Sequence, residues 1–171
     1  GELPYDGIAE IWVDDVDALR AMAGGPAYEA VQRDEENFID RPNMAMILTQ
    51  EHIIKDGPIP DGAVKNVEFV PRKTGMEVEA FQRYWRDVHG PIAAEIEVIR
   101  RYVQSHTLLG GYRDGRTPAW DGCAITWFDS VAAMRQSAQS EAYDLTRQDE
   151  PNFLDTDEEI PFIITTEHVI I

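Results

Sequence analysis

The sequence predicts an α+β fold made of ferredoxin-like units with antiparallel sheets. Three observations support this prediction. The elements expected between residues 65 and 171 follow the order strand, helix, strand, strand, helix, strand, which is typical of a split βαβ unit. Residues 6–54 repeat the back half of that order. The chain has 171 residues with 43% hydrophobic content, so it is long enough to bury a core.

The repeat is carried by matched residues along both copies. Trp12 corresponds to Trp127, and Phe38 corresponds to Phe153. Further matched positions are Asp6-Gly7 with Asp121-Gly122, Asp14 with Asp129, Arg20 with Arg135, Tyr28 with Tyr143, and Glu51-His52 with Glu167-His168. The offset between the copies is 115 residues at Asp6 and 116 at His52. One residue is therefore inserted between Asp155 and the last strand.

The first copy begins with a predicted strand at residues 6–13, which are rich in strand-forming side chains. Asp14 and Asp15 offer an N-cap for a helix from residue 16, and Pro26 suits the first turn of a second helix. Residues 44–54 give another strand. The turn-rich residues 56–62 indicate a linker or exposed loop. We therefore expect a first unit at 1–57, a linker at 58–64 and a complete second unit at 65–171.

The second copy has all of its elements in sequence. Strands are predicted at 65–72, 100–109, 121–128 and 161–170, and a long helix at 77–89. Ser130 and Ser140 offer N-caps for two shorter helices at 131–139 and 141–148.

The first copy lacks a front half. In the split βαβ order the first strand lies between the third and the fourth, so a back half alone leaves two strands with a gap between them. Such strands have open edges and cannot close a sheet unaided. We expect a leading segment that precedes Gly1 or comes from another chain, and the alternative of a homo-oligomer stays open.

The helix at 77–89 places its large apolar side chains on one stripe, formed by Val78, Phe81, Trp85 and Val88. Gly90 and Pro91 predict that the helix ends at His89. The carbonyl groups at a helix end favour the imidazolium form and leave a ring nitrogen free to face a cleft. A purely capping role for His89 is the alternative.

The run from Phe81 to Pro91 (FQRYWRDVHGP), the segment 101–106 (RYVQSH) and the closing Glu167-His168-Val169 together resemble the EthD-like family. The resemblance implies a dimeric α/β barrel, in which two ferredoxin-like units face each other sheet to sheet around a pocket. It also implies relatives among cofactor-free cyclases, isomerases and monooxygenases. Members of the family usually carry Ser or Thr where Glu77 stands here, a difference that weakens the helix cap but removes no chemical group.

Strand alternation selects the side chains that we expect in the pocket. Tyr102, Gln104 and His106 share one face of their strand, which suits a semi-polar cavity or, alternatively, an edge face in water. His89 and His106 are the candidate general acid or base, because the pKa of histidine lies near working pH. The candidate substrate-binding residues are Tyr102, Gln104, Trp127, Trp12, Glu10 and Trp85.

These residues indicate a cofactor-free enzyme that acts on a small hydrophobic or aromatic carbonyl compound by acid–base chemistry, as a cyclase, isomerase, dehydratase or monooxygenase. One alternative is a non-catalytic small-molecule binding or accessory protein of a degradation pathway. A haem-handling member of the same superfamily is another, although no histidine is marked as its axial ligand.

Charge and composition exclude several partners. The formal net charge of −17 repels nucleic acid and anionic lipid, so we expect neither as a partner. The single cysteine, Cys123, fits a reducing compartment, and no apolar run spans a bilayer, so we expect a cytoplasmic protein.

We expect no metal site at Glu51-His52 or Glu167-His168, because adjacent strand residues point to opposite faces. His168 is expected to be a satisfied core or helix-facing residue.

Overall fold

The computed structural model describes residues 3–157 and 159–170. It divides the chain into two compact units, one formed by Ile8–Met46 and the other by the residues up to Gly7 together with those from Ile47 onwards. The first repeat in the sequence, 1–57, therefore differs from the compact units of the structure. None of the described helices is long and apolar enough to cross a membrane.

The larger unit contains one five-stranded antiparallel sheet. Its strands are β1 (Thr49–Lys55), β2 (Val64–Val70), β3 (Arg101–Thr107), β4 (Gly122–Phe128) and β5 (Phe162–Thr165). They lie in the order β1-β3-β4-β2-β5, and every pairing is antiparallel. The four strands β3-β4-β2-β5 have the order expected of a ferredoxin-like unit, with the first strand between the third and the fourth. The α+β prediction is confirmed.

The first copy contributes its last strand to the sheet of the second. β1 pairs with β3 from Thr49 opposite Thr107 to Lys55 opposite Tyr102, with a bulge between Ile53 and Lys55. Residues 6–13, predicted as a strand, have no strand conformation. The prediction failed because side-chain propensity alone does not form a strand, which needs a partner for its backbone groups.

The smaller unit, Ile8–Met46, is a helical hairpin of α1 (Val16–Ala23) and α2 (Pro26–Glu35). The Asp15 side chain accepts a hydrogen bond from the backbone N–H of Ala18, and Pro26 opens α2, as predicted. Every residue of the hairpin is at least partly exposed. By itself, therefore, the hairpin has no buried core.

The long helix does not end at His89, and that prediction is wrong. The segment continues as α3 (Val78–Tyr84), a π-helical turn (Trp85–His89) and α4 (Gly90–Ala94). The Gly90 N–H donates to the Trp85 carbonyl five residues back. Pro91 lies in the first turn of α4, where its missing N–H costs little, and the wider π-turn precedes it.

Two short helices follow β4. They are α5 (Val131–Ser137) and α6 (Glu141–Asp149), and the hydroxyls of Ser130 and Ser140 accept backbone hydrogen bonds at their starts. β5 ends at Thr165, so the predicted strand at 161–170 is too long. His168 is exposed rather than buried in the core, and it lies beyond the end of β5.

The two faces of the sheet are separated by strand alternation. One face carries an apolar cluster that includes Val67, Phe69, Val103, Ile125 and Trp127. Tyr102 lies on the other face and belongs to a buried cluster with residues from α4, which include Ala93. The sequence argument preferred a semi-polar cavity or an edge face in water to a helix-covered face for Tyr102, Gln104 and His106; in the structure this face lies against helices. The described residues form one sheet and not two.

Candidate functional site

A buried polar layer lies between the helices and the sheet, and it contains two hydrogen-bonded groups. The first, which we call the His106 group, consists of His52, Trp85, Tyr102, Gln104 and His106. Strands β1 and β3 supply four of its members and the π-turn supplies Trp85. Tyr102, Gln104 and His106 are each at most 2% exposed.

The His106 ring is held between two other rings. The Trp85 indole stacks on it with a centroid separation of 4.5 Å and an interplanar angle of 3°. The His52 imidazole contacts it edge to face, also at 4.5 Å. This second contact follows from the register of β1, which places His52 opposite Gln104. The orientation of His106 is therefore fixed by packing on two sides.

Gln104 determines which nitrogen of His106 carries the proton. Its amide Nε2 donates to the Trp85 carbonyl at 2.9 Å and to the Tyr102 hydroxyl at 3.0 Å. The Gln104 Oε1 must then face His106 Nε2, which lies 3.0 Å away and donates. The lone pair of the His106 ring is consequently on Nδ1. This nitrogen is buried and has no hydrogen-bond partner among the described residues.

Burial also keeps His106 neutral. Desolvation, followed by the charges of His52 and Arg86, lowers the pKa of His106 to about 3. The pKa of His52 is lowered by burial and by Arg86. His52 and Arg86 are each only half-buried.

The second group, which we call the His89 group, consists of Tyr84, His89, Asp149 and Asn152. His89 Nδ1 lies 2.9 Å from Asp149 Oδ2, while the Tyr84 hydroxyl donates to Oδ1 at 2.6 Å and the Asn152 amide at 2.9 Å. Burial would raise the pKa of Asp149, but hydrogen bonds from Tyr84, Asn152 and His89 hold it below its usual range. Asp149 is therefore an anion that orients the imidazole.

The sequence-based account of His89 needs correction. The residue is 5% exposed and packs on Phe153 at a centroid distance of 4.6 Å, so it does not face a cleft from a free helix end. Burial lowers the pKa of His89 against the opposing effect of Asp149. The imidazolium form is thus disfavoured, because the helix continues past His89 and the ring turns into the protein.

Two glycines allow the helix to approach the sheet closely. A Cβ atom at Gly122 would lie 2.7 Å from the Trp85 ring and even closer to the Ser105 carbonyl oxygen. At Gly90 it would lie 3.1 Å from the Gln104 amide nitrogen. The glycines of the Asp121-Gly122 and His89-Gly90-Pro91 motifs therefore make room for the His106 group.

Two further carboxyl groups have perturbed pKa values, those of the buried Glu150 and the half-buried Glu68. Burial raises the pKa of Glu68 on β2 and raises that of Glu150, next to α6, to about 7, even though Arg147 lies 2.8 Å from Glu150. The charge of Glu68 also raises the pKa of Glu150. Burial, together with both carboxylates, raises the pKa of Tyr102, so its hydroxyl stays protonated. No cluster of three His, Cys, Asp or Glu residues suited to a metal occurs in the described part of the chain.

The remaining predicted residues lie elsewhere. Trp127 is on the opposite face of the sheet, where its Nε1 donates to Glu167 at 3.2 Å and the Lys65 ammonium lies 4.9 Å from its ring. Trp12 and Glu10 belong to the helical hairpin, in which Trp12 is 63% exposed and Glu10 is half-buried. The structure brings together Trp85, Tyr102, Gln104 and His106, whereas Trp127 packs in the cluster on the other face of the sheet.

Sequence reasoning missed His52, Asp149 and Tyr84 as members of the polar layer. Asp149 recurs as Asp34 and His52 as His168, so the repeat marked both positions without assigning them a role.

An open groove of about 400 Å³ also lies between α4 and α6, lined by Ile92, Glu95, Glu141, Ala142 and Leu145. It contains none of the predicted site residues.

Comparison with known proteins bears on both the fold and the motifs. A family model described as the EthD domain matches residues 1–42 and 73–157. An EthD family protein from Bacillus halodurans C-125 has a similar structure, with a TM-score of 0.50 at 15% identity over 62% of this chain and 99% of the other. At this identity the likeness shows the fold alone.

Two further solved structures are similar. A dimeric protein of unknown function and ferredoxin-like fold from Bacteroides fragilis NCTC 9343 has a TM-score of 0.46 at 15% identity, over 63% of this chain and 98% of the other. An EthD-like protein from Ralstonia eutropha JMP134 has a TM-score of 0.46 at 20% identity, over 64% and 94%. No curated protein matches the chain.

Proposed function

Because the chain belongs to the EthD domain family, we propose that it is a cofactor-free enzyme that moves protons on a small hydrophobic or aromatic carbonyl compound. The reaction class is that of a cyclase, isomerase, dehydratase or monooxygenase. One observation carries the proposal: the buried lone pair on His106 Nδ1 has no partner among the described residues. Family membership by itself restricts the possible folds more than the possible reactions.

His106 would act as the proton acceptor. A buried acceptor without a partner costs free energy, about 1–3 kcal/mol, which a substrate O–H or acidic C–H would recover by approaching Nδ1. The ring is neutral in the free protein because burial and neighbouring charges lower its pKa. Transfer of a proton to Nδ1 would leave an enolate beside an imidazolium, and each charge stabilises the other in a poorly solvated site.

The His89 group would supply a second acid–base function. Its geometry, with Tyr84 and Asn152 holding Asp149 and Asp149 holding His89 Nδ1, is that of a base oriented by a third group. Asp149 would stabilise His89 when it carries a proton.

Deuterium exchange tests the proposal without knowledge of the natural substrate. Aryl ketones are incubated with the protein in D₂O, and exchange at the carbon next to the carbonyl is followed by NMR. We expect exchange above the buffer rate, and a fall in kcat/KM of about 100-fold or more in His106→Phe, because general-base catalysis contributes about 10²–10⁴-fold. Phenylalanine keeps the stacking on Trp85 and removes both ring nitrogens.

His168→Phe is the matched control, because His168 is exposed and lies outside both groups. Full activity in His106→Phe would exclude the assignment of the base. If the unaltered protein binds the ketones by calorimetry but leaves their exchange at the buffer rate, the acid–base proposal fails. The non-catalytic binding protein would then be the better description.

A further inference from the structure

The acceptor nitrogen of His106 is enclosed by protein. The side chain is 2% exposed, and its Nδ1 is buried. A ligand can therefore meet Nδ1 only if one of the groups around the ring moves. These groups differ in how firmly the fold holds them.

Trp85 and Gln104 are held firmly. The Trp85 ring is 1% exposed, and it packs on Phe81 at a centroid distance of 5.5 Å as well as on His106. Gln104 is fully buried, and its amide donates to the Trp85 carbonyl and to the Tyr102 hydroxyl. Moving either side chain would open the core or break buried hydrogen bonds.

The neighbouring strand β4 and the helix α3 close two further sides. Gly122 lies opposite His106 on β4, and a Cβ atom there would be 2.7 Å from the Trp85 ring, so the ring fills this space. At the end of β3, the Gln82 amide of α3 donates to the Thr107 carbonyl at 2.8 Å. This bond ties the helix to the strand next to His106.

The β1 side of the ring is held less firmly. β1 lies at the edge of the sheet, with β3 as its one partner among the described strands. Gln50 lies opposite His106, but its side chain is exposed. His52 is half-buried and contacts the His106 ring edge to face at 4.5 Å. Within the described residues, the His52 ring makes no hydrogen bond.

We propose that the His52 side chain is a movable cover over His106. Its rotation away from the ring gives up one aromatic contact and no hydrogen bond to a described residue, and it opens a path from the β1 edge. In the acid–base reaction proposed above, on which this further step rests, the space that His52 vacates limits the size of the carbonyl compound that reaches Nδ1. His52 is then a specificity-determining residue.

Chemical modification of the full chain tests the cover independently of any activity. Diethyl pyrocarbonate reacts with the unprotonated nitrogen of an imidazole, and peptide mass spectrometry gives the rate at each histidine. In the unaltered protein, His106 should react at least tenfold more slowly than the exposed His168. His52→Gly should raise the rate at His106 at least tenfold, because the covering ring is removed while β1 keeps its backbone donors and acceptors.

His89 shows whether a variant is merely loosened. Its ring is buried in the separate His89 group, so its rate should stay within a few-fold in His52→Gly. Glu51→Gly is the matched control, because Glu51 is exposed and points to the other face of β1, and it should leave His106 slow. His52→Phe keeps a ring at the position and should also leave His106 slow. An unchanged rate at His106 in His52→Gly, or an equal rise at His89, would overturn the inference.

Exchange of ketones in D₂O tests the effect on specificity. His52→Gly should raise kcat/KM for a naphthyl ketone relative to a phenyl ketone at least tenfold, and Glu51→Gly should leave this ratio unchanged. An unchanged ratio in His52→Gly would overturn the specificity role. If His52→Gly exposes His106 but no ketone exchanges, the cover stands and the proposed function fails. If the unaltered protein exchanges ketones but His106 stays slow in His52→Gly, the proposed function stands and the cover fails.

Discussion

Replacing Gly122 by alanine should destabilise the protein strongly, because the added methyl has no space. It would lie 2.7 Å from the Trp85 ring and closer still to the Ser105 carbonyl oxygen on the paired strand. A backbone oxygen in a sheet moves only if the strand moves. Overpacking of this kind costs about 1–3 kcal/mol, and a contact with backbone favours the upper end.

Thermal unfolding followed by circular dichroism measures the effect of Gly122→Ala. For a protein of this size, about 3 kcal/mol lowers the Tm by about 6–12 °C. Gly110→Ala is the matched control, because no atom lies within 4 Å of its added Cβ. The near-ultraviolet signal should also change in Gly122→Ala, since the Trp85 ring must leave its stacked position on His106. Equal melting temperatures for the two variants would refute the close approach of helix and sheet.

Three further predictions concern burial and charge. The free energy of unfolding should fall between pH 6.5 and pH 4, because the folded protein holds His106 neutral while the unfolded chain takes up a proton there. Urea unfolding at both pH values should show a smaller loss of stability in His106→Phe than in the unaltered protein. Glu150→Gln should stabilise the protein more at pH 8 than at pH 5 in urea unfolding, because the pKa of Glu150 is raised to about 7 and its charged form is disfavoured in the fold. Phe153→Ala should cost about 3–5 kcal/mol in urea unfolding, whereas Phe38→Ala should change stability by less than 1 kcal/mol, about the size of a surface effect; equal costs would contradict the exposure of Phe38.

Elements that depend only on neighbouring residues, such as helix caps, were predicted correctly. The caps at Asp15, Ser130 and Ser140 were predicted and form as expected, because a side-chain oxygen next to free N–H groups needs no distant partner. The ferredoxin-like strand order followed from the sequence of elements. Residues 6–13 were wrongly assigned to a strand, because pairing depends on a partner elsewhere in the chain.

The candidate site was predicted only in part, because some of its contacts join segments that are distant in the sequence. Alternation along β3 correctly placed Tyr102, Gln104 and His106 on one face, but it could not determine what covers that face. The contact of His52 with His106 depends on the register between β1 and β3, two strands about fifty residues apart. Asp149 reaches His89 from a different helix. Such contacts between distant segments leave no periodic signal in the sequence.

The π-turn at Trp85–His89 connects the presence of Pro91 in a helical segment to the geometry of the candidate site. Pro91 removes one backbone donor, and a regular α-helix would bring its ring against the carbonyl four residues earlier. Widening of the turn lets the Trp85 carbonyl accept from both the Gly90 N–H and the Gln104 amide. The same turn directs Trp85 onto His106 and His89 toward Asp149. Pro91, which sequence rules place at a helix end, is therefore accommodated by the π-turn that directs Trp85 and His89 into the protein. This agrees with the frequent occurrence of π-turns at functional sites.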